Sequence, residues 1–199
     1  MTGLDAIADT YRDSANALMD RTGRAVLGTL GPSGTSSHHA VDHLRASLGG
    51  DPFEVRLYAS FDEVLAELAA GRLDLALVPS AYRDATAFHW HPDMQLAFHF
   101  VHPTPAYGLA ARPHEVIGGS SAVRIASVPE VRTLFAGMCP AGLIGRPVRW
   151  IDAGSTVGAA DLAITNENGR ARYALDWLSY RPGASIVWLL FAPTERPNP

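Results

Sequence analysis

The 199-residue sequence predicts an α/β protein of two lobes with a ligand cleft between them. Three observations lead there. Apolar residues make up 47% of the chain, enough to fill a sizeable core. Short apolar runs alternate with segments of helical spacing in the first part of the chain, the pattern of a parallel sheet covered by helices. A second set of short apolar runs follows a crossover marked by Pro103 and Pro105.

Taken in order, Ile7, Tyr11, Ala15, Leu18 and Met19 lie at helical spacing and predict an amphipathic helix over 5–20. A buried strand at 25–30 runs into the breaker cluster Gly31-Pro32-Ser33-Gly34. A helix over 37–48 follows, capped by the hydroxyls of Thr35, Ser36 and Ser37 and stopped by Gly49-Gly50. A strand is expected at 54–58. Ser60 then caps a helix with Phe61, Val64, Leu65 and Leu68 on one face, and Gly71 ends it. Strands are expected at 73–78, 96–101, 107–111, 123–127, 148–151, 162–165 and 185–192, and helices at 130–135 and 168–174. This divides the chain into an N-terminal helical extension (1–24), a first lobe (about 25–95 plus 180–192), a second lobe (about 105–178) and a disordered Pro-rich tail (193–199). Trp90, Trp150, Trp177 and Trp188 are expected in the core or between lobes.

Composition excludes several chemistries. The formal net charge of −4 lacks the basic footprint of a nucleic-acid binder. All sixteen Lys+Arg positions are Arg, so Schiff-base catalysis, a pyridoxal phosphate anchor and a P-loop lysine are out of reach. The single cysteine, Cys139, rules out an intrachain disulfide and a Cys-rich zinc site. The first 24 residues carry Asp5, Asp9, Asp13 and Asp20 and no apolar signal-peptide stretch, and the apolar run at 186–192 is too short to span a bilayer. A soluble cytoplasmic protein with no membrane contact, no cofactor and no metal is the expectation.

Five features are able to carry chemistry. The run from Gly31 to Ser37 joins a strand to a helix N-terminus, where free N–H groups and the helix dipole suit an anion. An ordinary tight turn with a helix cap is the alternative. Gly154-Ser155-Thr156 is a second such turn, and Ser127 a weaker one at another strand end. Asn166, at the end of the 162–165 strand, either meets a ligand or caps the next helix. Among eight histidines, His38 directly follows the hydroxyl cluster, and an imidazole of ordinary pKa suits general acid work. His39 and His43, four apart on the same helix, lack the Glu of an HExxH zinc motif. Arg112, at a strand end, offers a fork for a carboxylate or is a surface charge.

These pieces together resemble the prephenate dehydratase family over about residues 25–192. The matching segments are Leu30-Gly31-Pro32-Ser33-Gly34-Thr35-Ser36-Ser37-His38, Phe61-Asp62-Glu63-Val64, Ala76-Leu77-Val78-Pro79, Ala126-Ser127-Val128-Pro129, Ser155-Thr156 and Asp161-Leu162-Ala163-Ile164-Thr165-Asn166. The resemblance implies a two-lobed fold of the type II periplasmic-binding-protein-like class and a homodimer. Two departures matter. Where dehydratases carry a Thr-Arg-Phe motif, whose Thr is the proposed acid for the departing ring hydroxyl, this chain has Leu189-Leu190-Phe191. Only a few residues separate Thr156 from Asp161, where the family has a full helix.

A subgroup is more similar still: the prephenate decarboxylases of bacilysin-type antibiotic pathways. The shared segments are Val78-Pro79-Ser80-Ala81-Tyr82, His91-Pro92-Asp93-Met94-Gln95-Leu96, the run from Thr104 through Arg112 to Pro113, and Thr165-Asn166-Glu167. The resemblance implies prephenate as substrate and loss of CO2 without aromatisation. Without an acid at Leu189 the hydroxyl has no assisted departure, so the electrons released with CO2 end in a protonated ring double bond. On this reading Thr35, Ser36, Ser37, Tyr82, Arg112, Ser127, Ser155, Thr156 and Asn166 bind substrate, and Leu189 is an apolar wall beside the ring carboxylate. His38 or an ordered water is the acid. Dehydration to phenylpyruvate by another acid, and a non-catalytic small-anion binding module, are the competing readings.

Overall fold

The computed structural model describes residues 3–21, 25–49, 51–114, 122–152 and 160–194. It divides into two compact units: one of 1–103 with 185–199, the other of 104–184. The chain is α/β throughout, and each unit holds one five-stranded mixed sheet.

The first unit contains α1 (Gly3–Arg21), β1 (Ala25–Leu30), α2 (Ser36–Ser47), β2 (Phe53–Tyr58), α3 (Phe61–Ala69), β3 (Leu75–Pro79), α4 (Thr86–His89), β4 (Met94–Pro103) and β10 (Ser185–Pro193). Strand order is β2-β1-β3-β10-β4; β1 pairs parallel with β2 and β3, and β10 runs antiparallel between β3 and β4. The chain leaves β1 to one side to make β2 and returns to the other side to make β3. Right-handed crossovers then put α2 and α3 on opposite faces.

The side-chain period of two sorts the core between those faces. Leu75 and Leu77 join Ala40, Val41 and Leu44 of α2, Leu18 of α1, Phe98, Phe100, Trp188 and Leu190. Ala76 and Val78 join Phe61, Val64 and Leu68 of α3, with Phe88, Leu189 and Phe191. Each such Leu or Phe, fully buried, contributes roughly 1.5–3 kcal/mol. Helix α3 starts where its chemistry dictates: Ser60 Oγ accepts from Glu63 N (3.2 Å), and the Glu63 carboxylate reaches back to Ala59 N (3.0 Å). It stops at Gly71, whose φ of 70° is left-handed.

The second unit contains β5 (Tyr107–Ala111), β6 (Val123–Ser127), a 3₁₀ turn (Pro129–Leu134), α5 (Phe135–Met138), a second 3₁₀ turn (Ala141–Leu143), β7 (Val148–Asp152), β8 (Leu162–Asn166), α6 (Glu167–Arg172) and β9 (Asp176–Arg181). Its order, β7-β6-β8-β5-β9, repeats the logic of the first: β6 is parallel to neighbours on both sides, and β5 is antiparallel to β8 and β9. Leu109, Ile125, Leu162, Ile164, Met138 and Leu143 form its core.

Several elements differ from the expectation. Strand β9 is unforeseen, because Asp-Trp-Leu-Ser-Tyr-Arg is an exposed edge segment with no apolar run. Strand β4 extends to Pro103 and belongs to the first unit. The N-terminal helix is no appendage, since Leu18 is buried in the first core and Ala15 packs on it. Pro193 ends a strand and Thr194 N donates to Asp93 O (2.9 Å), so order runs past the expected start of the tail; residues 195–199 lie outside the described ones. Trp188 is fully buried, but Trp90 is 84% exposed, because it sits in the turn after α4 with no strand to anchor it.

Candidate active site

Open α/β sheets bind ligands outside the carboxyl ends of their strands, where the strand order switches direction. In the first unit that point is the end of β1. Gly31 N donates to Tyr58 O (2.8 Å), and Thr35 N to Pro32 O (3.3 Å), closing a turn in which Gly34 takes a φ of 86°. Thr35 caps α2: its Oγ1 accepts from His38 N (3.3 Å) and donates to Leu30 O (3.1 Å). Its hydroxyl is therefore engaged within the turn and positions it. Ser36 is half-buried and Ser37 is buried. The amino end of this twelve-residue helix keeps the polarity an anion needs. His38 is the third helical residue, with its ring partly open and Nδ1 3.5 Å from Asp42 Oδ2 one turn on.

At the neighbouring strand end, Ser80 N donates to Val187 O (2.8 Å) and Tyr82 N to Pro79 O (3.0 Å), so the chain folds back over β3. The Tyr82 ring packs on Phe61 (centroids 4.6 Å apart), and its hydroxyl donates to Asp62 Oδ1 (3.3 Å). Leu189 belongs to the same apolar cluster, opposite Val78 in β3 and 8% exposed. Tyr82 and Leu189 are thus brought together, and Leu189 is a packed core side chain. Leu190, on the other face of β10, is fully buried. Neither position offers a proton or a cation.

In the second unit the switch point is the end of β6. Ser127 there is fully buried, and its Oγ donates to Val128 O (2.8 Å). Asn166 caps α6, its Oδ1 accepting from Gly169 N (2.8 Å), which is the capping role weighed from sequence. Ser155 and Thr156 lie outside the described residues.

Arg112 does not join this group. Strand β5 runs antiparallel to β8, so Tyr107 pairs with Asn166 while Ala111 pairs with Leu162. Arg112 therefore lies at the opposite end of the strands from Ser127 and Asn166, about 17 Å from the level of Asn166 at strand rise. There its Nη2 donates to Ala160 O (3.1 Å), beside a cavity of about 20 Å³ that also touches Asp161. That space holds a water and nothing larger. Asp161 pairs with Arg124 (2.6 Å), whose hydrogen bond holds the carboxyl below its usual range.

Two groupings escaped the sequence reading. Arg132 meets Asp152 across the ends of β6 and β7. His43 of α2 stacks on His102 of β4, centroids 4.1 Å apart and planes within 16°. Burial, then His43 and His39, push the His102 pKa down. Stacked rings cannot share a metal in both ring planes, and among the described residues no group of three His, Cys, Asp or Glu is placed to hold one. No helix among them is long and apolar enough to cross a membrane.

No family model matches the chain. Among curated proteins it is similar to the prephenate decarboxylase of Planktothrix agardhii, at 32% identity over 177 residues, 83% of this chain and 87% of that protein. The prephenate decarboxylase of Bacillus subtilis strain 168 is 29% identical over 180 residues, 83% of this chain and 85% of that one. Among solved structures, a prephenate dehydratase from Arthrobacter aurescens in complex with L-Phe matches with a TM-score of 0.56 at 18% identity, over 86% of this chain and 61% of that one. The chain therefore spans less than two thirds of that dehydratase. The periplasmic VFT2 domain of Bordetella pertussis BvgS matches at 0.52 and 13% identity, over 92% of this chain and 85% of that domain. The structural likenesses carry the two-lobed α/β fold alone. The sequence identity carries more: the chain belongs to the prephenate decarboxylase family.

Proposed function

We propose that this chain removes CO2 from prephenate and leaves the ring non-aromatic. The observation that carries the reading is the apolar strand β10. Leu189 and Leu190 stand where a dehydrating relative has an acid and a cation, and both are packed among apolar side chains. Hydroxide is a poor leaving group without a proton donor beside it, so the ring hydroxyl stays. The bond from the ring to its carboxylate breaks, and its electron pair forms a new ring double bond. The displaced double bond takes a proton at its far carbon. One proton is consumed and one CO2 released, giving a dihydro-4-hydroxyphenylpyruvate.

The first-turn N–H groups of α2 hold a carboxylate against the turn shaped by Gly34 and Thr35. Tyr82, packed on Phe61 beside Leu189, is the polar tip on an otherwise apolar wall. His38, with its ring partly open at the same end of α2, delivers the proton directly or through an ordered water. The reading extends to a cytoplasmic homodimer in a specialised-metabolite (antibiotic) pathway. The exposed Leu4 and Ile7 side of α1, which flanks a groove with Tyr11 and His99, supports self-association. Incubation with prephenate, followed by NMR, tests the reaction. CO2 release with a dihydro product is expected; prompt appearance of phenylpyruvate refutes it in favour of dehydration.

A further inference from the structure

We infer that Asp62 is a positioning residue that keeps the Tyr82 phenol from acting as an acid, and so sets the choice between decarboxylation and dehydration. The inference rests on the reading of the substrate as prephenate, bound at the strand ends of the first unit.

Placement comes first. Strands β1, β2 and β3 run parallel, with Tyr58 opposite Leu30 and Gly28 opposite Ala76, so their carboxyl ends share one end of one sheet. That end is the place where open α/β sheets receive ligands. Three segments leave from it: the capped turn into α2, the first turn of α3 with Phe61 and Asp62, and the reversal at 79–82. Leu189, opposite Val78, joins them through the cluster that contains Phe61 and has Tyr82 packed against it. All of these residues belong to the first unit.

The direction of one hydrogen bond is the second observation. The Tyr82 hydroxyl lies 3.3 Å from Asp62 Oδ1. An ionised carboxylate only accepts and a phenol has a single proton, so that proton points at Asp62. Phe61, next to Asp62 in the chain, packs on the Tyr82 ring (centroids 4.6 Å apart) and keeps the phenol within reach of the carboxylate. The chemistry gives this bond a consequence. Leu189 denies the ring hydroxyl one donor, but a phenol in the same cluster would restore it. Hydroxide leaves far more easily with a proton donor beside it. Were Tyr82 to donate, the bond from the ring to its carboxylate would break, and its electron pair would shift through a ring double bond to expel the hydroxyl. The hydroxyl would depart as water with the phenol proton, and solvent would return a proton to Tyr82. Phenylpyruvate, CO2 and water would form. With the proton directed at Asp62 this route is closed, and the hydroxyl stays on the ring.

Product NMR of the wild-type reaction with prephenate decides the proposed function first, so failure of that reading is seen in the wild-type protein alone. With a dihydro product established, Asp62→Ala is expected to raise the phenylpyruvate share of product at least about 10-fold, the scale of one hydrogen bond to a charged group. Asp62→Asn, which keeps a weaker acceptor, is expected to fall between Ala and wild type. Combining Asp62→Ala with Tyr82→Phe removes the donor and is expected to return the share to the wild-type level. Only folded molecules contribute to a product ratio, so a modest loss of stability does not move it. A share unchanged in Asp62→Ala overturns the inference, and a share unchanged in Asp62→Asn does so if Asp62→Ala does not fold. A raised share that persists in the double variant also overturns it, because the acid then lies elsewhere.

Discussion

Replacing Thr35 by Ala is expected to damage the α2 turn by an amount that follows from its hydrogen bonds. Thr35 Oγ1 accepts from His38 N at 3.3 Å and donates to Leu30 O at 3.1 Å. Removing a helix cap costs about 0.5–2 kcal/mol. Depriving a half-buried carbonyl of its donor adds about 0.5–1 kcal/mol. The sum, about 1–3 kcal/mol, corresponds to a melting temperature roughly 2–12 °C lower for a chain of this size. Thr35→Ser keeps the oxygen and is expected to melt within about 2 °C of wild type. Because the same bonds aim the first N–H groups of α2, KM for prephenate should rise in the Ala variant at temperatures where it is folded, and recover in the Ser variant. Circular dichroism melts and steady-state decarboxylation read both. The reasoning fails if Thr35→Ala melts like wild type, or if Thr35→Ser is damaged as much as Thr35→Ala.

Two further outcomes follow from packing and titration. Leu77→Ala, at a fully buried position on the α2 face of β3, is expected to cost about 2–5 kcal/mol in chemical denaturation; a loss under 1 kcal/mol would contradict the core assignment. His102 takes up a proton less readily folded than unfolded, because burial and the imidazoles of His43 and His39 disfavour its charge. The unfolded chain therefore gains protons first as pH falls below about 6.5, and stability declines from there down to the lowered folded pKa. His102→Phe should flatten that decline in pH-dependent thermal melts; an identical slope in both proteins would remove His102 as its source.

Where local chemistry decides structure, the sequence is a sufficient guide. Strand β1 occupies the expected 25–30, and α2 and α3 begin at Thr35 and Ser60, because caps, glycine stops and side-chain periods act over a few neighbouring residues. The segment at 130–135, expected as a helix, is a 3₁₀ turn over Pro129–Leu134 and becomes α-helical only at Phe135. Asn166 shows the limit within the site: its residue type fits a ligand or a cap equally, and only the bond to Gly169 N assigns the cap.

By itself the sequence determined the α/β class, the capped turn after β1 and the absence of lysine chemistry, since each is written in residue types and short spacings; the apolar Leu189 in place of an acid is what the resemblance to dehydratases implies. The tertiary structure alone decided which strand ends lie together. Arg112 was set apart from Ser127 because β5 runs against β8, and strand direction leaves no mark on a five-residue apolar run. Arg132 and Asp152 were brought together because β6 and β7 pair in parallel, which places residues twenty apart in the chain at one edge of one sheet.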